Sequence, residues 1–382
     1  MVPHPGEESI ISKAIFICIL VLILLIMGVC VFIIYDYLTP DASLTPVTQT
    51  PAIAVTPPPL PTMTPTPRPT ATPTPTLDAG HYQQDTKVTG GDFEYYYPGI
   101  WSHYIVYDMY DGTKNYSMLY DVNTQRTTRI AEGCVFSNGA ISNGKVLLFY
   151  PEGNKIYLYD INSRKSGLTS SDDDCDRSGF TMFDTKLAYY QDDGHYNTDG
   201  TWVPLHTIRV FNMVDGQTSI VIYDIPKPLD MRIYKDMLVY TVVDGEGSDV
   251  YLLDLAKLNS KPQRVSTGSG NNNHARIYDH TIVYYSDRDG KSHIYMYDIN
   301  TAKTSVVATE GEQWNADIYG NTIVYDDNRN GNWDIYAYDL STGVERRITN
   351  EPHDQRAPVI YGNRIAYMDN RNGYDAIYTM TI

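Results

Sequence analysis

A short acidic motif in the last third of the chain has the spacing of a calcium-binding loop. It reads Asp326-x-Asn328-x-Asn330-Gly331-x-x-Asp334. Alternating oxygen-bearing side chains around a glycine turn are what a compact calcium loop requires, although no glutamate stands at the twelfth position. The same residues suit a tight β-hairpin, in which Asn and Gly adopt positive φ. We favour the hairpin, and calcium is the one cofactor that the motif suggests.

Three arginines recur at one equivalent position of a repeated sequence. Arg288, Arg329 and Arg371 follow one another at intervals of 41 and 42 residues. Guanidinium groups bind carboxylates in a planar, bidentate geometry, so an arc of three arginines would suit a carboxylate ligand. The alternative is that each arginine pairs with an acidic residue of a neighbouring hairpin, because repeat units reuse the same contacts.

Four aromatic residues form a second candidate surface. Tyr196 and Trp202 lie in a segment of the third repeat that is longer than its counterparts. Inserted loops on a rigid scaffold often carry function, and exposed Tyr and Trp suit sugar stacking or a protein hot spot. Trp314 and Trp333 would enlarge this surface, unless they pack between repeats.

Two cysteines begin equivalent segments of neighbouring repeats. Cys134 and Cys175 precede the central aromatic residues of their repeats by 15 and 14 residues. In an oxidising compartment this spacing favours a disulfide, and free thiols are the alternative.

The elements that must position these residues come from a repeat, because an apolar triplet ending in an aromatic residue recurs seven times at intervals of 40 to 51 residues. The triplets are Ile105-Val106-Tyr107, Leu147-Leu148-Phe149, Leu187-Ala188-Tyr189, Leu238-Val239-Tyr240, Ile282-Val283-Tyr284, Ile323-Val324-Tyr325 and Ile365-Ala366-Tyr367. A second strand with period-2 alternation follows most of them. Such a period is the signature of a β-propeller.

The last repeat ends one strand short of a four-stranded blade. Lys87-Val88-Thr89 matches Arg347-Ile348-Thr349 at an offset of 260 residues, so the N-terminal strand should complete the seventh blade and close the ring. The sequence therefore predicts an all-β, seven-bladed propeller over residues 82–382. A six-bladed ring with a stray repeat is the alternative.

The repeat resembles a known group. Ser286 to Asp298, Asp327-Asn328-Arg329-Asn330-Gly331 and Asp369-Asn370-Arg371-Asn372-Gly373 are similar to the repeats of TolB-like (PD40, WD40-like) propellers. Tyr319-Gly320-Asn321 departs from the Ser-Pro-Asp-Gly usual in that family, as does the count of seven blades rather than six. The resemblance implies the fold, and for function it implies a binding module, a peptidase gate or a polysaccharide lyase.

Histidines bear on the lyase alternative, since some propeller lyases use a histidine cluster. His195, His274, His293 and His353 would have to converge across blades three, five and seven to bind one metal. Motifs for a nucleophile elbow, a zinc protease, a P-loop and a dinucleotide site are absent from the sequence.

Composition excludes one class of partner. The chain has 46 acidic and 29 basic residues and a net charge of −17, whereas nucleic-acid binding needs a basic face. The 34 tyrosines, with many Asn-Gly and Asp-Gly pairs, favour strands and hairpins.

The N-terminal quarter predicts an anchor and a stalk. Residues 1–13 form a short cytoplasmic N-terminus, and residues 14–34 are 21 uncharged residues, long enough for a transmembrane helix; a cleavable signal peptide is the alternative. Lys13 favours an N-terminus inside the cell. Residues 35–81 form an extended linker, with 12 Pro and 12 Thr between positions 39 and 76.

These features predict a single-pass cell-membrane protein with an extracytoplasmic C-terminal propeller. Its expected role is to bind or scaffold an envelope protein or glycan. Two alternatives remain: a metal-dependent polysaccharide lyase or hydrolase of the envelope, and a structural surface-layer component.

Overall fold

The computed structural model describes residues 85–382, apart from residues 92, 135–139, 171–175, 193, 204, 246 and 258–259. The predicted transmembrane segment 14–34 and the linker 35–81 lie outside these residues. In the described part of the chain, no helix is long and apolar enough to cross a membrane.

The described residues form seven four-stranded antiparallel sheets and one two-stranded hairpin. The first strand is β1 (Thr86–Lys87). Blade 1 contains β2 (Glu94–Trp101), β3 (Tyr104–Tyr110), β4 (Asn115–Asp121) and β5 (Arg126–Glu132). Blade 2 contains β6 (Ile141–Ser142), β7 (Lys145–Tyr150), β8 (Lys155–Asp160) and β9 (Lys165–Ser170).

Blade 3 contains β10 (Asp176–Phe183), β11 (Lys186–Asp192), β14 (His206–Asn212) and β15 (Thr218–Tyr223), and its inserted hairpin is β12 (His195–Tyr196) with β13 (Trp202–Val203). Blade 4 contains β16 (Asp230–Tyr234), β17 (Met237–Asp244), β18 (Gly247–Asp254) and β19 (Gln263–Arg264). Blade 5 contains β20 (Asn272–Tyr278), β21 (Thr281–Ser286), β22 (His293–Asp298) and β23 (Lys303–Val306).

Blade 6 contains β24 (Gln313–Tyr319), β25 (Thr322–Asp327), β26 (Asp334–Asp339) and β27 (Val344–Arg347). Blade 7 contains β28 (Gln355–Tyr361), β29 (Arg364–Asp369) and β30 (Ala376–Thr381), with β1 as its outermost strand. The seven-bladed propeller predicted from the repeat is confirmed.

The second strand of each blade is apolar on both of its faces because each blade packs between two others. In blade 6, Ile323 and Tyr325 pack with residues of blade 5, whereas Val324 points the other way and packs with residues of blade 7. Period-2 alternation of side chains produces this arrangement. The buried triplets are therefore the hydrophobic core, divided among the interfaces between blades.

The ring is closed by the N-terminal strand. β1 pairs antiparallel with β30, with Thr86 opposite Thr379 and Lys87 opposite Tyr378. Beyond β1, the Val88 amide donates to the Ile377 carbonyl at 2.8 Å, and the Val88 side chain joins a buried cluster of blades 1 and 7. The predicted closing strand is confirmed.

An arginine clamp reinforces this closure. The Arg371 Nη2 donates to Asp85 Oδ2 at 2.6 Å and to Asp369 Oδ2 at 2.5 Å. Its guanidinium lies 4.2 Å from the centroid of the Tyr378 ring. One side chain thus connects β29 and β30 with Asp85, the residue that directly precedes β1.

Replacing Arg371 by Gln should destabilise the ring more than removal of an exposed ion pair. Arg371 is largely buried, so its loss leaves Asp85 and Asp369 uncompensated, and we expect the free energy of unfolding to fall by about 3 kcal/mol. Urea unfolding measures this change. Proteolysis should also cut near residue 85 sooner in the variant.

The control is Arg129→Gln, which removes an exposed pair with Glu132 and should cost less than about 0.5 kcal/mol. Equal losses in the two variants would contradict the clamp.

Candidate functional site

The innermost strands enclose a cavity of about 250 Å³ at the centre of the ring. One half of its wall is polar and comes from blades 4, 5 and 6: Arg232, His274, Arg276, Asn315 and Asp317. The other half is apolar or small and comes mainly from blades 7 and 1: Pro98, Gly99, Ile100, Ala357, Pro358 and Val359. A concave site with a few convergent polar groups is the usual form of a ligand pocket.

The repeat itself places the charged side chains in the channel. Arg232, Arg276 and Asp317 each stand directly before a buried isoleucine of the innermost strand. In blade 5 the pairing register shifts between Asn273 and Arg276, and His274 at this bulge has a φ of 52°. Bulges bend a strand and re-aim its side chains, so the bulge turns this part of the wall toward the channel.

The two guanidinium groups are held in the same way. Arg232 Nη1 donates to the Met231 carbonyl at 2.9 Å, and Arg276 Nη1 donates to the Ala275 carbonyl at 3.0 Å. Burial, and then the neighbouring charge of Arg276, lower the pKa of Arg232. Arginine starts from a pKa above 12 and stays protonated at neutral pH, so two like charges face one cavity.

Two carboxyl groups accompany them. Asp317 Oδ2 accepts a hydrogen bond from the Ile360 amide at 2.9 Å, which links blade 6 to blade 7. Burial raises the pKa of Asp317, and the Arg276 charge opposes that shift. Asp230 is 9% exposed, and among the described residues neither of its carboxylate oxygens has a hydrogen-bond partner.

His274 is a neutral member of this wall at physiological pH. Burial, followed by the charge of Arg276, lowers the pKa of its imidazole. The ring stacks on Tyr285 with centroids 5.5 Å apart, and Tyr285 in turn contacts Trp314 at 4.6 Å. His274 can therefore donate or accept a hydrogen bond without adding charge to the cavity.

Aromatic side chains line one mouth of the channel. A second cavity of about 450 Å³ begins where the innermost strands end, and Ile100 lines both cavities. Neighbouring rings of this mouth lie 4.7 to 4.9 Å apart between Phe183 and Tyr361. The aromatic lining of this mouth consists of Trp101, Phe183, Tyr234, Tyr278, Tyr319 and Tyr361. A ligand entering from this side meets an aromatic passage before the charged wall.

The three hairpin arginines do not line this channel. Arg329 Nη2 pairs with Asp327 at 2.6 Å and with Glu345 at 2.7 Å, as Arg371 does with its own acidic partners. Arg288 instead donates to the hydroxyl groups of Ser286 and Thr267 at 2.9 and 2.6 Å. Arg329 and Arg371 thus pair with acidic residues of their own blades rather than of a neighbouring hairpin, and the contacts of Arg288 are to hydroxyl groups, one of them from the segment between blades 4 and 5.

The side chains of the predicted calcium loop take separate partners. Asn328 Oδ1 accepts from the Glu312 amide at 2.8 Å. Asn330 Nδ2 donates to Asp334 Oδ2 at 3.1 Å, and Asp334 also pairs with Arg347 at 2.7 Å. The structure brings Asn330 and Asp334 together and uses them in a hairpin.

Asp326, the first residue of that motif, supports the channel wall instead. Its Oδ2 accepts hydrogen bonds from Asn315 Nδ2 at 2.9 Å and from the Ala357 amide at 3.0 Å. Ala357 has a φ of 51°, a conformation that costs free energy for a residue with a Cβ. Asp326 therefore fixes two bulges that border the cavity.

The predicted aromatic surface is only partly described. Tyr196 pairs with Trp202 across the inserted hairpin, but their side chains lie outside what the structure describes. Trp314 packs on Tyr285 and is half-buried. Trp333 is half-buried, with the Arg356 guanidinium 5.2 Å from its ring. Trp314 and Trp333 thus pack against blade residues.

Cys134, His293 and His353 do not line the central cavity. Cys134 is buried, and its sulfur lies 3.3 Å from Ser117 Oγ; Cys175 lies outside the described residues, so the disulfide stays a prediction. His293 is buried and His353 is exposed. Among the described residues there is no group of three or more His, Cys, Asp or Glu residues placed to hold a metal ion.

Sequence reasoning missed Asp230, Arg232, Arg276 and Asp317. A signal for them existed, since Asp230-Met231-Arg232, His274-Ala275-Arg276 and Asn315-Ala316-Asp317 occupy one equivalent position in three successive blades. The other blades have uncharged residues there. A repeat alignment that asked which positions face the axis would have identified them.

The fold and the channel define this chain as a β-propeller with a polar central site. No family model matches the sequence, and a search of curated proteins finds no match. Among solved structures, it is similar to an oligogalacturonate lyase in complex with manganese, with a TM-score of 0.62, 14% identity, and 80% of this chain and 94% of that chain covered.

Two protease structures show the same likeness. The propeller domain of the Trilobed protease from Pyrococcus furiosus, described as having an open velcro topology, matches with a TM-score of 0.59 and 13% identity over 75% of this chain and 95% of that one. The acylaminoacyl peptidase of Pyrococcus horikoshii matches with a TM-score of 0.60 and 11% identity over 76% of this chain. The match covers 52% of the peptidase, about half its length. These likenesses show the propeller fold.

Replacing Asp326 by Asn should stabilise the protein at neutral pH. Burial raises the pKa of Asp326 from 3.8 to about 6, so its charged form is disfavoured in the folded state. Because the folded value lies above the unfolded one, wild type loses stability as pH rises from about 4 to about 6. The asparagine oxygen still accepts both hydrogen bonds, and the variant should gain on the order of 2 kcal/mol over wild type between pH 4 and pH 7.

Urea unfolding across this pH range measures the difference. Asp339→Asn is the control, because hydrogen bonds lower the pKa of that exposed carboxyl and its replacement should not stabilise the protein as pH rises. Parallel pH profiles for wild type and Asp326→Asn would refute the buried-carboxyl account.

Proposed function

We propose that this chain is a ligand-binding propeller displayed at the cell envelope, with its binding site in the central channel. The observation that carries the proposal is the charged wall formed by Arg232, Arg276 and Asp317 inside a cavity of about 250 Å³. Ionisable groups are costly to hold in a protein interior unless they pair or serve a ligand. These charged residues come from blades 4, 5 and 6 only. The fold of a blade therefore does not by itself require charged residues at this position.

The predicted N-terminal helix and Thr/Pro linker would hold this propeller outside the membrane. In that arrangement, the role is recognition of an envelope protein or glycan, or of a small molecule released from one. Binding needs no further domain, since the ring is rigid and its channel is preformed. A surface-layer scaffold would be a use of the same ring that does not depend on the channel.

A lyase acting on an acidic polysaccharide is the second candidate. The likeness to oligogalacturonate lyase over nearly the whole of that chain supports it, as do the arginines and the histidine in the channel. Its test is incubation of the purified chain with polygalacturonate and manganese, followed by ultraviolet absorbance of an unsaturated product. Product formation that Arg276→Gln abolishes would establish the lyase in place of a simple binding module.

The binding proposal predicts channel-dependent stabilisation by a ligand. Purified full-length chain should be melted against a panel of sugars, sugar acids, organic acids, amino acids and short peptides. A channel ligand at a hundredfold excess over its Kd should raise Tm by about 5 °C. Arg276→Gln should remove this shift, whereas Arg126→Gln, on the exposed outer strand of blade 1, should keep it.

Ligand shifts that persist in Arg276→Gln would place binding elsewhere on the propeller. A panel without any shift would reject the proposal for these classes of compound and favour a scaffold, which self-association in solution would then reveal.

A further inference from the structure

The aromatic mouth of the channel is interrupted at one blade. Each of its six aromatic residues is the last residue of the innermost strand of its blade. Blade 2 ends that strand with Ser142 instead, and Asn143 follows. The mouth is therefore a ring of aromatic side chains with one short polar gap.

A carboxylate is held in place at this gap. Asn143 Nδ2 donates to Asp184 Oδ1 at 2.7 Å, and the Asp184 amide donates to Ser142 Oγ at 2.8 Å. Among the described residues, Asp184 Oδ2 has no hydrogen-bond partner. Blade 2 thus positions the carboxylate through one oxygen and leaves the other free for a ligand.

The lining of the mouth does not balance this negative charge. Asp184 is the one charged side chain among the described residues that line the cavity of about 450 Å³. Two lysines lie close by in blades 3 and 4, but each has its own acidic partner: Lys186 pairs with Asp236, and Lys235 pairs with Asp279 at 3.3 Å. A ligand with a positive charge would complement the lining.

The aromatic rings suit the same kind of ligand. All six are half-buried, so a ligand can reach them. Ammonium groups are attracted to the faces of Tyr and Trp rings, and Lys235 Nζ already lies 5.0 Å from the centroid of the Tyr234 ring. Burial, and then the neighbouring Tyr234, raise the pKa of Tyr278 to about 12, so this phenol is neutral at physiological pH. Quaternary ammonium ligands are commonly recognised by such rings.

The charged wall beyond the mouth does not oppose a cation, because its charges are balanced. Asp317 stands in the same lining as Arg276. Asp230 is buried and lies two residues from Arg232 in the regular strand β16, so the two side chains leave the strand on the same side. Two carboxyl groups thus accompany two guanidinium groups.

We infer that the aromatic mouth binds a small organic cation with an alkylated ammonium group. The ammonium group lies beside Asp184 Oδ2, and its apolar substituents pack on the aromatic rings. The inference goes beyond the proposed function, because this site does not use the charged wall. A free ammonium compound and a choline group attached to phosphate present the same chemistry, and the experiment separates these two sources.

Isothermal titration of the full-length chain with choline is the direct test. The matched probe is 3,3-dimethyl-1-butanol, which has the shape of choline and no charge. Potassium chloride supplies a cation without apolar substituents, and phosphocholine adds a phosphate to the same ammonium group. We expect choline to bind and the first two probes to bind at least roughly tenfold more weakly.

Asp184→Asn should weaken binding of choline roughly fivefold or more, because it removes the charge. Tyr278→Leu should have a similar effect, whereas Tyr278→Phe keeps the ring and should bind within about twofold of wild type. Tyr223→Leu, at a residue that is 64% exposed on the outermost strand of blade 3, is the control and should leave binding unchanged, as should Arg276→Gln. Thermal melting shows whether each variant is folded. Asp184 is exposed, so its variant tests the site even if Tyr278→Leu does not fold.

Equal binding of choline and 3,3-dimethyl-1-butanol, or of choline to wild type, Asp184→Asn and Tyr278→Leu, would overturn the inference. Loss of choline binding in Arg276→Gln but not in Asp184→Asn would overturn it and leave the proposed channel function standing. Tighter binding of phosphocholine than of choline, with the same dependence on Asp184, would assign the site to choline groups linked to phosphate. No binding of choline, together with a melting panel without shifts, would reject both proposals.

Discussion

Pairing of β1 with β30 is the constraint on which the rest of the structure depends. Each blade buries both faces of its second strand against its neighbours, so blades 1 and 7 can satisfy this requirement only by packing on each other. The short strand Thr86–Lys87 and the contact between Asp85 and Arg371 hold the two ends of the domain together at that point. A closed ring in turn encloses a channel whose wall is rigid, because all its strands belong to packed blades.

The channel acquires its asymmetry from small departures at one repeat position. Blades 4, 5 and 6 place Arg232, Arg276 and Asp317 where blade 7 places Val359 and blade 1 places Gly99. The bulges of blades 5, 6 and 7 are alike, whereas the innermost strand of blade 4 pairs without a register shift. A repeating scaffold can thus carry one polar site and one apolar wall without any change of fold. At the adjoining mouth of the channel, most blades contribute an aromatic residue. The mouth is therefore lined by similar side chains on all of these blades.

Much of the fold could be predicted from sequence, whereas the site could not. The number of blades could be predicted from the apolar triplets, because burial between blades imposes a period-2 alternation that is visible in the sequence. The closure could be predicted from the match of Lys87-Val88-Thr89 with Arg347-Ile348-Thr349. Asp326 shows the limit: its motif suggested calcium, but the side chain turns to Asn315 and the Ala357 amide of another blade. Which way a carboxylate turns at a bulge depends on contacts between blades, and local spacing does not encode them. For the same reason, the sequence predicted a ligand site at the hairpin arginines and did not identify Arg232 and Arg276.

The most direct measurement is a crystal structure of the protein grown with the compound that gives the largest rise in Tm in the melting panel. A ligand-binding channel predicts a seven-bladed ring closed by β1, with the compound in the central cavity and in contact with Arg276. A compound confined to the outer surface of the ring, in contact with neither Arg232 nor Arg276, would contradict the claim that the channel is the binding site.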